Sequence, residues 1–311
     1  MAVKFGKVGI LMGGPSSERE ISLKSGRAVL DALKELNLDI IPIDIKTDDP
    51  QENLRLIKEQ NINCAFLTLH GRFGEDGQMQ AILDEARIPY TGSGKFASSL
   101  AMDKIASRKI LEAYKLHVPK YLVLQKRPVQ ADLPHFKNFH FPVVVKPATQ
   151  GSSIGLSIVD KKEDLAAAIC LAFDFDQKVL VEEYIKGREL TVGILNDRAL
   201  PLIEIVPKKR FFDFEAKYSS GLTEYIVPAK IEQKLAEKIQ AAALKAHRLL
   251  GCYAYSRVDL ILNEKNIPFI LEANTIPGFT QTSLFPKAAR VAGIEFGQLC
   301  LELIRLAYEK T

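Results

Sequence analysis

The first third of the chain alternates short apolar runs with amphipathic segments whose apolar residues recur at helical spacing. The alternation reads strand 8–12, helix 22–36, strand 40–44, helix 51–60, strand 64–69 and helix 77–86. Strands that alternate with helices are typical of a parallel sheet covered by helices. The pattern therefore predicts an N-terminal α/β unit, which we expect to end near residue 102.

The rest of the chain follows a different pattern, in which strands outnumber helices. The expected elements are helix 104–116, strand 143–146, strand 156–159, helix 163–173, strands 178–185, 190–195 and 200–206, helix 232–250, strands 257–262 and 268–273, and a C-terminal helix. A polar segment, 208–223, separates the middle strands from the long helix. This order predicts smaller α+β units after the parallel one.

Composition narrows the classes of function. With 311 residues, 47% apolar and 26% charged, the chain has the make-up of a globular protein with two or three domains. No stretch approaches the roughly 20 apolar residues that span a bilayer, and the net charge of +4 includes no long basic run. We therefore expect neither a membrane nor a nucleic acid as a partner. The four cysteines lack C-x-x-C spacing, which favours free thiols in a reducing cytoplasm.

Two segments near the C-terminus alternate polar and apolar side chains. Arg257 and Asp259 share one face of the first segment. Glu272 and Asn274 share a face of the second, with Leu271 on the opposite face. Two carboxylates and an amide oxygen suit magnesium, which prefers oxygen ligands. An ordinary antiparallel pair with one solvated face fits the same alternation, so both interpretations stay open.

A glycine-rich loop, residues 150–155, follows the strand that ends at Lys146. Glycines let a backbone approach a phosphate chain closely, and a nearby ammonium adds a point charge. The loop is neither a Walker A sequence nor G-x-G-x-x-G, because no Gly-Lys-Ser tail follows and the next element is a strand. A phosphate-binding loop and a simple hairpin turn are both open.

Glu18 and His70 follow the first and third predicted strands. Because α/β sheets bind ligands at the carboxyl ends of their strands, Glu18 is a candidate for holding an ammonium group. The alternative is helix capping by Ser16 and Ser17, with Glu18 in the first turn. A lone histidine such as His70 is more often a packing residue. The other histidines lack metal-ligand spacing and are expected at the surface: His117, His135, His140 and His247.

These signals occur in one order along nearly the whole chain. The series is G13-G-x-S-x-E-R-E20, L69-H-G71, P89-Y-T-G-S93, M102-D-K104, K146-P147, G151-S-S-x-G155, E215-A-K-Y218, R257-x-D259 and E272-A-N-T-x-P-G278. It resembles the D-alanine:D-alanine ligases of the ATP-grasp class. The resemblance implies an α/β fold of three domains: an N-terminal Rossmann-like parallel-sheet domain (1–102), a central ATP-grasp subdomain (103–186) and a C-terminal ATP-grasp and metal-binding domain (187–311).

The resemblance also implies roles in binding ATP and metal. Residues matching the phosphate ligands and the loop over them are Lys104, Lys146, Lys217 and Ser153. Residues matching the segment that holds adenine and ribose are Glu182, Glu183, Tyr184, Ile185 and Glu189. Two magnesium ions, with manganese as an alternative, would be held by Asp259, Glu272 and Asn274.

For the amino acids, the resemblance implies a catalytic set of Glu18, Ser152, Tyr218, Arg257 and Ser283. Glu18, helped by His70, would receive the ammonium of the first D-alanine. Gly278, Ser283 and Leu284 would hold the second, and Arg257 would stabilise the developing oxyanion. Ser152 and Tyr218 resemble loop residues that close over the site with Glu18.

The implied activity is ATP-dependent ligation of two D-alanines through an acyl phosphate, for peptidoglycan synthesis, by a homodimer. Tyr218 favours this dipeptide activity over D-alanine:D-lactate ligases, which tend to carry phenylalanine there. Another ATP-grasp ligase would need neither Glu18 nor His70, and a non-catalytic nucleotide-binding protein would need no acid–amide cluster beside Arg257. Three residues depart from some relatives, and we expect them to change loop contacts rather than chemistry: Gln150, Phe212 and Phe214.

Overall fold

The computed structural model describes residues 5–127, 139–207 and 223–310. Its N-terminal sheet has strand order β2-β1-β3 with both pairings parallel. The elements of this part are β1 (Val8–Gly13), α1 (Arg19–Glu35), β2 (Ile40–Ile45), α2 (Pro50–Glu59), β3 (Cys64–Leu67), α3 (Gln78–Ala86) and α4 (Lys95–Met102). After α3, Tyr90 makes a single parallel bridge with Ala65 of β3. The carboxyl ends of β1 and β3 consequently lie side by side, with Glu18 and His70 just beyond them.

A second sheet, antiparallel with strand order β4-β7-β5-β6, forms the central part. Its elements are α5 (Lys104–Ala113), β4 (Tyr121–Leu124), β5 (Val143–Pro147), β6 (Ser157–Val159), α6 (Leu165–Phe173) and β7 (Val179–Glu183). Helix α5 begins where it does because the Asp103 carboxylate accepts hydrogen bonds from the N–H groups of Ile105 and Ala106. That cap places Lys104 in the first turn of the helix.

A third sheet, also antiparallel, runs in the order β11-β10-β8-β12-β13, with β9 paired to β8. Its elements are β8 (Gly187–Leu195), β9 (Arg198–Ala199), β10 (Ile203–Pro207), β11 (Thr223–Ile226), α7 (Gln233–Leu249), β12 (Tyr255–Asn263) and β13 (Pro268–Asn274), followed by α8 (Leu284–Val291) and α9 (Phe296–Glu309). Two helices thus stand where one C-terminal helix was expected.

One apolar core joins the two ends of the chain. Val8, Ile10 and Phe66 of the parallel sheet pack in the same buried cluster as Leu299 and Leu303 of α9. The opposite face of this sheet is covered by a separate cluster that includes residues of α2 and α3. The parallel sheet is therefore buried on both faces, as its continuous apolar strands require.

The predicted mixed α/β fold with an N-terminal parallel sheet is confirmed. Each sheet lies within one of the three segments expected from the sequence, and the domain boundaries themselves stay a prediction. Within the residues described, no helix is both long and apolar enough to cross a bilayer. The four cysteines are free thiols, three of them buried and Cys170 half-buried.

Two local predictions are wrong. The residue that precedes α1 is Glu18, so the alternative in which Ser16 or Ser17 caps the helix is wrong. Ser16 instead donates to the carbonyl oxygen of His70 at 2.7 Å and accepts from the Glu18 N–H at 3.2 Å. His247, expected at the surface, is 3% exposed and lies 2.7 Å from the Ser256 hydroxyl beneath the third sheet.

Candidate functional site

The carboxylate of Glu18 is buried where the first two sheets meet. Ser152, in the glycine-rich loop, donates a hydrogen bond to it, and Ser16 holds its backbone against the end of β3. Gly71 lies close to the same carboxylate: its φ is +70°, and a Cβ atom there would lie 2.5 Å from Glu18 Oε2. Only glycine fits this approach, because any side chain would displace the carboxylate and strain the backbone.

His70 is oriented by groups on both sides of its ring. The Ser25 hydroxyl lies 3.1 Å from Nε2, and Glu75 Oε1 lies 3.7 Å from Nδ1. Glu75 also accepts a hydrogen bond from the Gly71 N–H at 2.9 Å. Burial raises the pKa of Glu75, which favours its neutral form. His70 is therefore a fixed polar group beside Glu18 and is itself buried.

The polar face of the β12–β13 hairpin carries the acid–amide cluster. Asp259 lies opposite Glu272 in the strand register, and Arg257 lies opposite Asn274. Arg257 donates two hydrogen bonds to Asp259, at 2.9 and 2.7 Å, and Asn274 donates a third at 3.0 Å. The hairpin thus gathers the predicted residues on one surface.

An irregularity in this hairpin corrects the expected alternation. The register shifts after the Asp259–Glu272 pair, so that Leu260 lies opposite Ile270 and Leu271 has no partner on β12. Leu271, expected on the opposite face, lines the same cavity as Glu272, whereas Ile270 is buried in the core. The bulge turns the end of β13 and so aims Glu272 and Asn274.

The donor set fits a divalent cation of the magnesium type. Asp259, Glu272 and Asn274 offer carboxylate and amide oxygens on adjacent strands, which are the ligands that such ions prefer. Within the described residues, no group of three or more histidines, cysteines, aspartates and glutamates is placed to hold a metal. Two carboxylates with an amide leave coordination positions for phosphate oxygens, as is usual for magnesium.

Two cavities meet at this hairpin. The larger has a volume of about 340 Å³ and extends from Glu18 to the loop before α8. The smaller, about 150 Å³, lies between the second and third sheets. Lys104 and Glu272 line both, and their side chains are 3.3 Å apart. A ligand in one cavity would therefore contact a ligand in the other at this ion pair.

The loop before α8 closes the far end of the larger cavity. Ser283 is the residue that precedes the helix, its side chain accepts a hydrogen bond from the Thr280 N–H at 3.0 Å, and Leu284 also lines the cavity. The N–H groups of a first helical turn favour an anion. This end of the cavity is thus suited to a carboxylate.

A buried charge cluster forms the floor of the smaller cavity. Glu182 pairs with Lys146 at 3.1 Å and with Arg108 through both of its oxygens. Burial lowers the pKa of Lys146 to about 8, although Glu182 acts in the opposite direction. The pKa of Glu182 is lowered because its two cationic partners outweigh the effect of burial.

The comparisons with known proteins fit this geometry. Models of the N-terminal part and of the C-terminus of D-ala D-ala ligases match residues 7–93 and 110–305. A D-alanine–D-alanine ligase of Pelotomaculum thermopropionicum is 47% identical, covering 97% of each chain. The chain belongs to the D-alanine–D-alanine ligase family.

Solved structures agree with that membership. A D-alanine–D-alanine ligase from Bacillus anthracis, complexed with ATP, superposes with a TM-score of 0.85 at 33% identity and covers 98% of both chains. The VanG D-Ala:D-Ser ligase from Enterococcus faecalis superposes with a TM-score of 0.84 at 32% identity and covers 97% of this chain and 99% of its own. Two structures that superpose on this chain are thus named for different second substrates.

The structure gathers most of the residues that the sequence singled out. Those lining the larger cavity are Glu18, His70, Lys104, Ser152, Arg257, Glu272, Asn274, Gly278, Ser283 and Leu284. Those lining the smaller cavity are Lys104, Lys146, Ser153, Glu182, Glu183, Tyr184, Ile185, Glu189, Asp259 and Glu272. Lys217 and Tyr218, together with Phe212 and Phe214, lie outside the described residues.

Sequence reasoning missed several residues of the site. Lys24 lines the larger cavity one helical turn beyond Ile21, and Glu75 and Tyr225 line it as well. Ile21 and Lys24 follow Glu18 at helical spacing, and this spacing could have predicted that they lie on the same side of the helix. On α5, Arg108 lies one turn after Lys104, and the same spacing could have predicted that it lies near the site.

Proposed function

We propose that this chain joins two D-alanines to D-alanyl-D-alanine, using ATP to convert the first carboxylate to an acyl phosphate. The observation that carries the proposal is the meeting of the two cavities at Lys104 and Glu272. Phosphates bound in the smaller cavity would reach an amino acid bound in the larger one. Transfer between two bound partners needs mainly positioning and charge neutralisation, which this junction offers.

The smaller cavity is assigned to ATP. Lys104 and Lys146, helped by Lys217, would neutralise the phosphates, and the backbone around Ser153 would close over them. Glu183, Tyr184 and Ile185 line the part of the cavity assigned to adenine, and Glu189 the part assigned to ribose. The assignment is supported by the match between these residues and the nucleotide segment of the family.

Asp259, Glu272 and Asn274 are assigned to two magnesium ions, with manganese as an alternative. When bound, such ions neutralise charge on the phosphoryl group as it transfers. Asp259 and Glu272 lie opposite each other on adjacent strands, and Glu272 lines both cavities. That position suits a carboxylate that connects the metal to the site of transfer.

The larger cavity is assigned to the two amino acids. Glu18, with His70 beside it, would hold the ammonium of the first D-alanine, and Ser152 would keep the Glu18 carboxylate in place. The second D-alanine would place its carboxylate at Ser283 and the first N–H groups of α8. Arg257 and the Gly278 backbone would stabilise the oxyanion as the second amine attacks.

Closure of the site would protect the acyl phosphate from water. Ser152 and Tyr218 are assigned to this closure, since they match loop residues of the family. Tyr218 also favours an amine over D-lactate as the second substrate. The similarity to a D-Ala:D-Ser ligase makes D-serine the alternative to test beside D-lactate.

The proposal also covers the oligomeric state and the cellular location of the enzyme. We infer a homodimer, as the resemblance implies, and a cytoplasmic enzyme, because ATP is supplied there. Light scattering of the purified chain would measure the oligomeric state, and a monomer would contradict the first inference.

The function is tested by phosphate release from ATP and Mg²⁺ with purified protein and D-alanine, L-alanine, or D-alanine with D-lactate or D-serine. Release with D-alanine alone, accompanied by D-alanyl-D-alanine in the mass spectrum, is the expected result. A main product carrying D-lactate or D-serine would contradict the substrate assignment. No release with any of them would contradict the ligase activity itself.

A further inference from the structure

Arg108 is a fully buried arginine on α5 whose charge no part of the proposed chemistry uses. Its side chain is 1% exposed and lies one helical turn beyond Lys104. Its guanidinium contacts both oxygens of Glu182, and the Nη2–Oε2 distance is 3.1 Å. A buried arginine costs desolvation free energy, so its retention calls for a specific partner and purpose.

The same guanidinium contacts the third sheet. Nη2 donates to the carbonyl oxygen of Leu271 at 3.4 Å, at the bulge immediately before Glu272. The guanidinium also lies 5.6 Å from the centre of the Tyr121 ring on β4. Arg108 therefore links helix α5 and the central sheet to the strand that carries Glu272.

Arg108 belongs to a cluster of ion pairs beside the smaller cavity. Within this cluster three cations, Lys104, Lys146 and Arg108, contact two carboxylates, Glu182 and Glu272. Three further carboxylates line the cavity outside the cluster: Glu183, Glu189 and Asp259. The cluster thus holds an excess of one positive charge. Without Arg108 the excess disappears, and Glu182 would have Lys146 as its remaining cationic partner.

We propose that Arg108 is a positioning residue for the nucleotide phosphates: it neutralises Glu182 and thereby leaves the Lys146 ammonium available to the phosphates. Its contact with Leu271 holds the bulge that aims Glu272 toward the same place. This inference rests on the proposed binding of ATP in the smaller cavity. In this proposal the Glu182 carboxylate offsets the positive charges of Arg108 and Lys146, in addition to lining the adenine part of the cavity.

The test compares the affinities of Mg²⁺–ATP and adenosine by titration calorimetry of the full chain. In Arg108→Met, the affinity for ATP falls about tenfold, the effect of one lost interaction with a charged group, while that for adenosine changes less than about twofold. Arg108→Lys keeps the positive charge beside Glu182 but loses the two-pronged contact, so the ratio of the two affinities falls less than in Arg108→Met and stays within about threefold of the unmodified protein. Arg108→Lys also provides the test if Arg108→Met does not fold.

Arg248→Met is the matched control. Arg248 makes a similar two-pronged contact, with Asp197, but both side chains are 57% exposed. The control changes the net charge equally and leaves both affinities unchanged. Equal losses of ATP and adenosine affinity in Arg108→Met, or a tenfold fall of the ratio in Arg108→Lys, would overturn the positioning role. Failure of the unmodified protein to bind ATP would instead contradict the proposed function.

Discussion

Ser152 donates a hydrogen bond to the carboxylate of Glu18, although 134 residues separate the two along the chain. The contact joins the glycine-rich loop of the second sheet to the first helix of the N-terminal sheet. It closes one side of the cavity assigned to the amino acids. Glu18 is thus positioned by the loop, as well as by its own helix.

Replacing Ser152 by alanine is expected to weaken binding of the first D-alanine. Loss of a hydrogen bond to a charged group costs about 1.5–3 kcal/mol, so KM for D-alanine rises roughly tenfold or more. KM for ATP changes little. Steady-state phosphate release measures both constants. The neighbouring variant Ser153→Ala is the control: it lies on the nucleotide side of the loop and keeps the backbone that is assigned to the phosphates, so KM for D-alanine is expected to change little. An equal rise of KM for D-alanine in the two variants would contradict the assignment.

Replacing Glu272 by glutamine is expected to abolish turnover, by at least about a thousandfold in kcat, because the proposed metal site would lose a charged ligand. The fold is retained, since glutamine keeps the size of the side chain. Mg²⁺ or Mn²⁺ should raise Tm in the unmodified protein and have little effect in the variant.

Glu264→Gln is the control for this metal experiment. Glu264 lies in the turn of the same hairpin, with its side chain 70% exposed and paired to Lys186. Its replacement leaves both turnover and the metal effect intact. A fully active Glu272→Gln variant would contradict the metal assignment.

The affinity for ATP is expected to fall in alkaline solution. Burial lowers the pKa of Lys146 to about 8; Arg108 and Lys104 act in the same direction, and Glu182 and Glu272 oppose it. The Lys146 ammonium, which is assigned to the phosphates, is therefore lost above pH 8. The profile of kcat/KM for ATP, which reports the free enzyme, should decline there. Lys146→Arg keeps its charge and should lack this decline, and an unchanged profile would rule out Lys146 as its origin.

His247 is expected to make the fold sensitive to acid. Burial lowers its pKa from 6.5 to about 4, so between these values the unfolded chain binds a proton that the folded chain does not. Stability is consequently lost as the pH falls through this range, by up to about 3 kcal/mol. His247→Asn should reduce this loss in urea unfolding. The exposed His140→Asn is the control, and equal pH dependence in all three proteins would contradict the prediction.

The sequence predicts the site better than the details that hold it together. The parallel sheet follows from its strand–helix alternation, and the same rule places Glu18 and His70 at adjacent strand ends. The bulge at Leu271 was missed because one extra residue in a strand leaves the surrounding polar pattern almost unchanged.

The sequence also did not predict which charged and polar residues are buried. His247 and Arg108 lie on amphipathic helices where polar residues are normally exposed, and only their partners, Ser256 and Glu182, explain their position. Ser256 lies on the strand that follows the helix of His247, and Glu182 lies 74 residues from Arg108; neither pairing can be read from the polar and apolar pattern of the helix itself. The order of the family motifs, by contrast, singled out the residues around both cavities without any distance.

The shared core of β1, β3 and α9 bears on how the chain emerges during synthesis. Strands β1 and β3 are made early, yet Leu299 and Leu303, which pack with Val8 and Phe66, come near the very end. Phe5 stacks on Tyr308 at a ring distance of 6.0 Å. Helix α1 packs on part of the same face through Val29 and Leu33, and a nascent chain therefore exposes the rest of this face until translation is nearly complete. Truncation just before α9 would leave the amino-terminal strands unable to bury that face, and such a product should aggregate.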